Sequence, residues 1–394
     1  MQSLTPKNCK IMIYRILPLL LLVCPSVFSQ AVTEEFHSVQ LNETREIIIK
    51  TPPSYNIEKN KKYPLLVLLD GEYLFDAFSG TLSYANYWND LPEVIIAAVN
   101  QNQNNERETD CHYEEHSGIP DEKGALFFDF ITLELLPQLE KKYRVAPFKI
   151  IAGHNITAGY LNFFLYKAKP VFNAYISFSP ELATEMETRV PEQLAASKKP
   201  VYYYLATADG DVPALAKRIK TLHGNISSLK SPNINYSFEE FKNASHYSLV
   251  AMGIPNALYH IFSSYQPISS TEYQSKIVTL SGGYVDYLKD KYTLIENNLG
   301  IKMPVRLNDF KAIEAAILKN GAFNELRKLA DLARKSYPKA MIGEYYDALY
   351  YEKTGDIKRA SKTYLNSYSL NEIGDYTRDF MIRKAENLKN IPNE

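Results

Sequence analysis

The chain has 394 residues, of which 45% are hydrophobic and 23% are charged, and its formal net charge is -1. This composition is typical of a soluble globular protein, and the length predicts two to three domains. A balanced charge gives no reason to expect nucleic acid or an anionic membrane surface as a partner.

The N-terminus has the pattern of a secretory signal peptide. Three basic residues precede an apolar run over residues 16–23, and Val27 and Ser29 supply small side chains before Gln30. The apolar run is much shorter than the roughly 20 residues of a membrane span. We therefore expect residues 1–29 to be removed from a secreted or periplasmic protein with no membrane span after cleavage. An uncleaved anchor is the alternative.

Short apolar runs predict the strands of a buried sheet. A strand over 46–50 is followed by near-continuous apolar runs, which indicate strands covered on both faces, as in a parallel sheet between helices. An alternating run over 234–241 predicts a strand near the sheet edge, and residues 127–143 have helical spacing. The alternation of strands and helices predicts an α/β domain with a mostly parallel sheet. The near-continuous apolar runs are 63–69, 94–99, 148–152, 174–178 and 201–206.

The strand predicted at 148–152 leads into a sharp turn and a helix. In an α/β-hydrolase this is the place of the G-x-S-x-G nucleophile elbow. Here Gly153 is followed by Asn155 at the central position and by Thr157 at the place of the last glycine. The nitrogen lone pair of a carboxamide is delocalised, so Asn155 is a poor nucleophile. Thr157 should lie in the helix and predicts an adjusted packing rather than a substitute nucleophile.

From about residue 308 the pattern is helical only. Gly321 and Gly355 lie 34 residues apart, which is the tetratricopeptide period, and residues 344–370 look like one such unit. Two units are fewer than an independent solenoid needs, so we expect this region to dock on the first domain or on another protein. Plain helical hairpins are the alternative. The same shift pairs Ala315 with Leu349, Leu326 with Ala360 and Ala330 with Tyr364.

These patterns divide the chain into four parts. They are a signal peptide over 1–29, an α/β-hydrolase domain over 30–270, a connecting segment over 271–307 and a helical tetratricopeptide-like region over 308–394. Two of the three cysteines fall in the predicted signal, so Cys111 would remain alone, and we expect it to be buried or partly buried, with a reactive thiol as the alternative.

Residues of about 36–265 resemble the putative-esterase (esterase D, enterochelin-esterase-like) family of α/β-hydrolases. The resemblance implies a Ser–acid–His triad, no cofactor, and relatives among siderophore, feruloyl and acetyl esterases and S-formylglutathione hydrolases. It is carried by the order and spacing of the segments 52–55, 62–72, 105–110, 135–143, 153–159, 177–180 and 245–246.

The resemblance places the site residues by position. His246 matches the triad histidine, and the acid is expected at Asp209, with Asp211 as the alternative. The backbone N–H groups of Ile156, and of Gly71 and Glu72 in the loop after the strand at 63–69, match an oxyanion hole.

Three further residues are expected at the cleft. His154 adjoins the elbow, and Arg107 and Asp110 are expected to form an ion pair that holds a loop near the cleft, with contact to a ligand as the alternative. The segment 112–116 contains two histidines and two glutamates, but it lies in a polar loop without fixed ligand geometry, so no metal is expected.

Three functions remain open. The leading hypothesis is an exported pseudoenzyme that binds a small-molecule ester or acyl ligand, or a protein partner. The second is an active carboxylic-ester hydrolase that uses Asn155 converted to aspartate, or another nucleophile such as Ser179. In the third, the C-terminal helices bind a protein partner and the esterase domain is a carrier.

Overall fold

The computed structural model describes residues 31–103 and 105–389, so the predicted signal peptide lies outside the described residues. Its centre is an eight-stranded sheet with the order β1-β2-β4-β3-β7-β8-β9-β10, beside a two-stranded hairpin of β5 and β6. The pairs β1–β2 and β2–β4 are antiparallel, and every other pair in the large sheet is parallel. The strands are β1 Ala31–Ser38, β2 Glu43–Lys50, β3 Tyr63–Leu68, β4 Ile95–Val99, β5 Tyr113–Glu114, β6 Ile119–Pro120, β7 Val145–His154, β8 Ala174–Phe178, β9 Val201–Gly210 and β10 Ile234–Ser245.

All seven predicted strands are present, and the alternating one, β10, lies at the sheet edge as expected. The sequence did not reveal β1, the opposite edge strand. Most of its side chains are exposed, so it lacks the continuous apolar run by which the central strands were recognised.

Helices cover both faces of the sheet. The predicted helix over 127–143 is confirmed but starts earlier, and a π-helical segment over 130–135 joins its halves. The helices are α1 Gly71–Tyr87, α2 Glu106–Asp110, α3 Glu122–Asp129, α4 Leu136–Lys142, α5 Ile156–Tyr160, α6 Met186–Ala196, α7 Pro213–Ser227, α8 Ser248–Ile261, α9 Ser270–Glu272, α10 Tyr284–Leu299, α11 Leu307–Lys319, α12 Glu325–Ser336, α13 Ile342–Lys353, α14 Ile357–Asn366 and α15 Arg378–Lys389.

Each face of the sheet has its own apolar core. Along β3, Leu65 and Val67 pack in one core, whereas Leu66 and Leu68 pack in the other. Successive strand residues point to opposite faces, so a strand that is covered on both sides must be apolar throughout. The near-continuous hydrophobic runs therefore indicated the layered α/β fold correctly.

The C-terminal region is entirely helical and has a third core. The helices α13 and α14 form a hairpin at Gly355, whose φ is +87°, and the Asp356 carboxylate caps α14 by accepting from the Arg359 N–H at 3.1 Å. The helices are confirmed, while the tetratricopeptide identity stays a prediction. Ala315 and Leu349, which the 34-residue shift pairs, both lie four residues before the end of their helices, but Ala315 is exposed and Leu349 is buried.

The predicted connecting segment contains α10, which joins the two regions. Ile295 and Leu299 belong to the core on one face of the sheet, whereas Tyr284 and Leu288 belong to the core of the C-terminal helices. One helix therefore contributes to both cores. Among the described residues, no helix is long and apolar enough to cross a membrane.

Candidate functional site

The site lies where β7 ends and α5 begins. Asn155 is the single residue between them, with φ 59° and ψ -119°, a conformation that disfavours most side chains. Its N–H donates to the Phe178 carbonyl at 3.0 Å, and its carbonyl accepts from the Glu181 N–H at 3.0 Å. These bonds hold the sharp strand-to-helix turn that the sequence predicts.

The Asn155 side chain has no hydroxyl, thiol or ionisable group. It is half-buried, and its Oδ1 is shielded from water without a hydrogen-bond partner among the residues that the structure describes. An amide oxygen in this state is an unused acceptor.

A buried histidine–aspartate pair lies next to this turn. The Nδ1 atom of His246 is 2.7 Å from Oδ1 of Asp211. The His246 carbonyl is 3.0 Å from Nε2 of His154, and the two imidazole rings are 4.5 Å apart between centroids. Because His154 directly precedes Asn155, these contacts bring His246 to the turn.

The structure corrects the preference for Asp209 as the acid. Asp209 is exposed, and its carboxylate accepts from the backbone N–H groups of Asn243 and Ala244 at 3.0 and 3.4 Å. Asp211 is the aspartate that contacts His246. The two residues lie on one turn and point in different directions, which their spacing of two cannot reveal.

Further donors fix the Asp211 carboxylate. It accepts from the Thr207 hydroxyl at 2.7 Å, the Val212 N–H at 2.8 Å and the Ser179 hydroxyl at 2.9 Å. Burial alone would raise the pKa of Asp211, but the bonds from Thr207, His246 and Ser179 outweigh it and hold this pKa below its ordinary value. The carboxylate therefore stays ionised beside the imidazole.

Ser179 contacts both members of the His246–Asp211 pair. Its φ is +44°, and its hydroxyl oxygen is 3.0 Å from Nδ1 of His246 as well as within bonding distance of Asp211. A serine that His246 activates as a nucleophile would need the other ring nitrogen, Nε2. Ser179 is therefore placed to orient the pair and not to attack.

A second buried network, which the sequence did not reveal, surrounds Asp70. This carboxylate accepts from the Thr157 hydroxyl at 2.6 Å, the Tyr73 hydroxyl at 2.8 Å and Nε of Arg107 at 2.6 Å. Arg107 also donates to the His154 carbonyl at 2.8 Å. The sequence signal that could have identified Asp70 was its position, because it is the charged residue that follows the apolar run of β3.

The expected ion pair between Arg107 and Asp110 is wrong. Asp110 is fully buried and receives two bonds from the guanidinium of Arg45, at 2.7 and 2.9 Å. Such a two-point contact fits a planar guanidinium and leaves Arg107 to pair with Asp70. Arg107 is close to the turn, and Asp110 faces β2.

His154 is held neutral between these networks. It is buried, its Nδ1 lies 3.2 Å from the Tyr73 hydroxyl, and its Nε2 lies next to the His246 carbonyl. Burial and the neighbouring His246 lower the pKa of His154 to about 4.

The starts of two helices meet at the site. Ile156 begins α5, while Gly71 and Glu72 begin α1, and the N–H groups in a first helical turn have no acceptor within their helix. The bond between Thr157 and Asp70 ties the two helix starts together. The assignment of these N–H groups to an oxyanion hole stays a prediction. The Glu72 side chain turns away and accepts from a neighbouring loop.

Two other sequence candidates lie outside the site. Cys111 is buried, as expected, and burial raises the pKa of its thiol. His112 lies 2.7 Å from Asp121, and within the described parts of the chain no group of three or more His, Cys, Asp or Glu residues could hold a metal ion.

Comparison with known proteins agrees with this architecture. A family model described as putative esterase matches residues 38–210. The crystal structure of an uncharacterised protein from Capnocytophaga ochracea is 30% identical, with 91% of this chain and 99% of that chain covered and a TM-score of 0.81. The likeness therefore extends into the C-terminal helices.

Two more distant structures share the fold. An IroE-like serine hydrolase from Shewanella oneidensis is 19% identical, with 78% of this chain and 99% of that chain covered and a TM-score of 0.59. The BES protein from Bacillus cereus is 19% identical, with 58% and 95% covered and a TM-score of 0.50. A comparison with curated proteins finds no match.

Proposed function

Because the chain belongs to the putative esterase family, we propose that it is an exported member that has lost catalysis and binds a small ester or acyl ligand beside Asn155. The observation that carries this proposal is the carboxamide at the strand-to-helix turn next to a formed His246–Asp211 pair. Acyl transfer needs a hydroxyl or thiol that the imidazole can deprotonate. A carboxamide offers neither.

The remaining groups suit binding. The unused Oδ1 of Asn155 is an acceptor, and the N–H groups at the starts of α5 and α1 are donors suited to a carbonyl oxygen. The carbonyl oxygen of an ester or acyl ligand would therefore accept from these N–H groups, and Oδ1 would bond only to a ligand that also carries a hydroxyl or N–H group. Binding of p-nitrophenyl butyrate should shift the ring resonances of His246 in NMR spectra.

Hydrolysis of p-nitrophenyl acetate and butyrate tests the loss of catalysis. We expect the purified protein to turn over neither ester faster than an Asn155→Ala variant does. Turnover that disappears in a His246→Ala variant would show that the site is catalytic and would overturn the proposal.

Replacing Asn155 by serine should restore part of the missing chemistry, because the histidine and its acid are already assembled. We expect Asn155→Ser to hydrolyse p-nitrophenyl acetate at least about 100-fold faster than the unaltered protein, since general-base activation typically contributes 10²–10⁴-fold. The double variant Asn155→Ser/His246→Ala is the control and should return to the background rate. An inactive Asn155→Ser variant that still folds would mean that the remaining groups are not arranged as a working triad.

The alternative is an active carboxylic-ester hydrolase, and the preserved His246–Asp211 pair favours it. Its route would be conversion of Asn155 to aspartate, which the bulky Ile156 should slow. The mass of the tryptic peptide that contains Asn155 distinguishes asparagine from aspartate at this position. Conversion adds about 1 Da, and an unshifted mass excludes this route. Ser179 is a poor alternative nucleophile because its hydroxyl contacts Nδ1 of His246.

We also propose that the C-terminal helices bind a protein partner and that the mature chain starts at Gln30. N-terminal sequencing of the exported protein tests the second point. A chain that ends at Met303 tests the first, with circular dichroism as a folding control because the cut exposes Tyr284 and Leu288 of α10. Partners that still bind the shortened chain would exclude α11–α15 as the binding region.

A further inference from the structure

A pocket of about 480 Å³ lies between the end of β2, the segment after it, and the C-terminal half of α1. Lys50, the last residue of β2, pairs with Ile96 at the start of β4. The pocket is therefore at the amino ends of the parallel strands, while Asn155 is at the carboxyl end of β7. At about 3.3 Å per strand residue, the length of β4 alone separates the two edges by more than about 10 Å. The pocket is a different site from the cleft beside Asn155.

Lys50 contributes a half-buried ammonium group to this pocket. Its Nζ donates to the hydroxyls of Ser79 and Ser83, one turn apart on α1, at 2.6 and 3.1 Å. Both partners are neutral, and among the described residues no carboxylate lies within 4.0 Å of this nitrogen. Asp76 acts on it only from farther away, and burial lowers the pKa of Lys50. A partly desolvated cation without a counterion favours an anion from solution.

The other lysine of the pocket is different. Nζ of Lys61 lies 2.6 Å from Glu93 and 3.5 Å from Glu58. Its charge is therefore matched within the protein. The same two carboxylates line the pocket and repel a ligand that carries a second negative charge.

We propose that this pocket binds the carboxylate group of a small organic monoanion. The third N–H of the Lys50 ammonium is available for one carboxylate oxygen, and a serine hydroxyl that accepts from the ammonium keeps its own hydrogen to donate to the other. Pro53, Leu82 and Leu91 supply apolar walls, and the exposed ring of Tyr87 stands at the rim. The ligand therefore has one carboxylate and an apolar or aromatic body.

Benzoate is the probe that tests this proposal, because benzamide has the same shape without the charge. In titrations of the full mature chain followed by NMR, benzoate should bind saturably and should shift the backbone signals of Ser79 and Ser83 rather than that of His246. Benzamide should bind at least about tenfold more weakly, since a hydrogen bond to a charged group contributes that much. Phenyl phosphate, which is mostly a dianion at pH 8, should also bind more weakly than benzoate.

Substitutions locate the binding. Lys50→Gln should weaken benzoate binding by about tenfold or more, while Lys62→Gln, an exposed lysine near the pocket, should leave it unchanged. If Lys50→Gln fails to fold, the exposed Ser83→Ala variant serves instead and should weaken binding severalfold. Equal affinities for benzoate and benzamide, equal affinities of the unaltered protein and Lys50→Gln, or no saturable binding up to 10 mM benzoate would each overturn the proposal. None of these results depends on whether the cleft beside Asn155 binds an ester.

Discussion

Asn155 combines a backbone conformation that few residues accept with a side chain that cannot attack a carbonyl. Asparagine tolerates positive φ better than most residues, although a ψ of -119° lies outside the left-handed helical region where it is most often found. Loss of a triad nucleophile, by contrast, costs about 10⁶ in turnover. Asparagine at this position is therefore compatible with the fold but removes the nucleophile that catalysis requires.

Asp209, near the end of β9, and Asp211, directly after it, provide a matched test of the site. Asp211→Asn should replace the charged acceptor of the Nδ1 proton of His246 by a neutral amide that can also donate, so the low-field proton signal of this ring should disappear from NMR spectra. Asp209→Asn should leave that signal in place, because Asp209 binds only backbone N–H groups. In an Asn155→Ser background, Asp211→Asn should lower turnover to near that of the unaltered protein, because the triad acid is needed to hold the histidine in the correct tautomer. Equal effects of the two variants would contradict the assignment of Asp211.

His154 predicts how stability depends on pH. Its pKa of about 4 in the folded protein lies below the ordinary value of 6.5, so the unfolded chain binds a proton more readily. The free energy of unfolding should therefore fall as the pH decreases from about 6.5 to about 4, by about 3 kcal/mol from this residue. Urea unfolding at several pH values measures the slope. A His154→Gln variant should have a shallower slope over this range, and an identical slope would rule out the contribution.

At the scale of elements, α10 is the helix that packs against both the sheet and the C-terminal helices. The interval from 271 to 307 was expected only to connect them, yet α10 buries one face against the sheet and another against the C-terminal helices. A helix that is apolar on two sides belongs to two cores. The sheet region therefore depends on residues that lie beyond residue 270.

Two leucines on α10 test this dependence. Leu299 is fully buried on the sheet side, whereas Leu294 is 49% exposed. Leu299→Ala should lower the free energy of unfolding by about 2–5 kcal/mol because it leaves a cavity. Leu294→Ala should change it by less than about 1 kcal/mol. Chemical denaturation followed by tyrosine fluorescence measures both, and similar losses would contradict the two-core role of α10.

At the scale of the whole molecule, the end of α10 lies close against the sheet. Gly300 ends α10 with φ +66°, and a Cβ atom at this position would lie 2.5 Å from Cδ of Pro147 in β7. Gly283, at the other end of the same helix, has φ +76° and open space around it. The two glycines therefore share a conformation and differ in their surroundings.

This difference predicts unequal effects of alanine. Gly283→Ala should cost about 1 kcal/mol for the left-handed conformation alone. Gly300→Ala should cost the same amount plus about 1–3 kcal/mol, because the methyl group forces α10 away from β7. Thermal unfolding of both variants measures the difference. Equal stabilities would mean that Pro147 moves to admit the methyl group without a measurable loss of stability.

The sequence alone determined the features that arise from local patterns. Continuous apolar runs predicted the parallel strands, because a strand covered on both faces has no polar side. The order of motifs identified the family, and the turn at Asn155 was recognised from residues that are adjacent in the chain. The exposed β1 escaped notice because an edge strand lacks the continuous apolar run.

Only the tertiary structure decided which charged groups meet. Arg107 and Asp70 are 37 residues apart and Arg45 and Asp110 are 65 apart, and both pairs form because folding brings the ends of different strands together. Asp209 and Asp211 are two residues apart, yet the turn between them orients Asp209 towards backbone N–H groups and Asp211 towards His246. Composition and periodicity report which face of an element is buried, whereas the partner of a buried charge depends on the distances between elements.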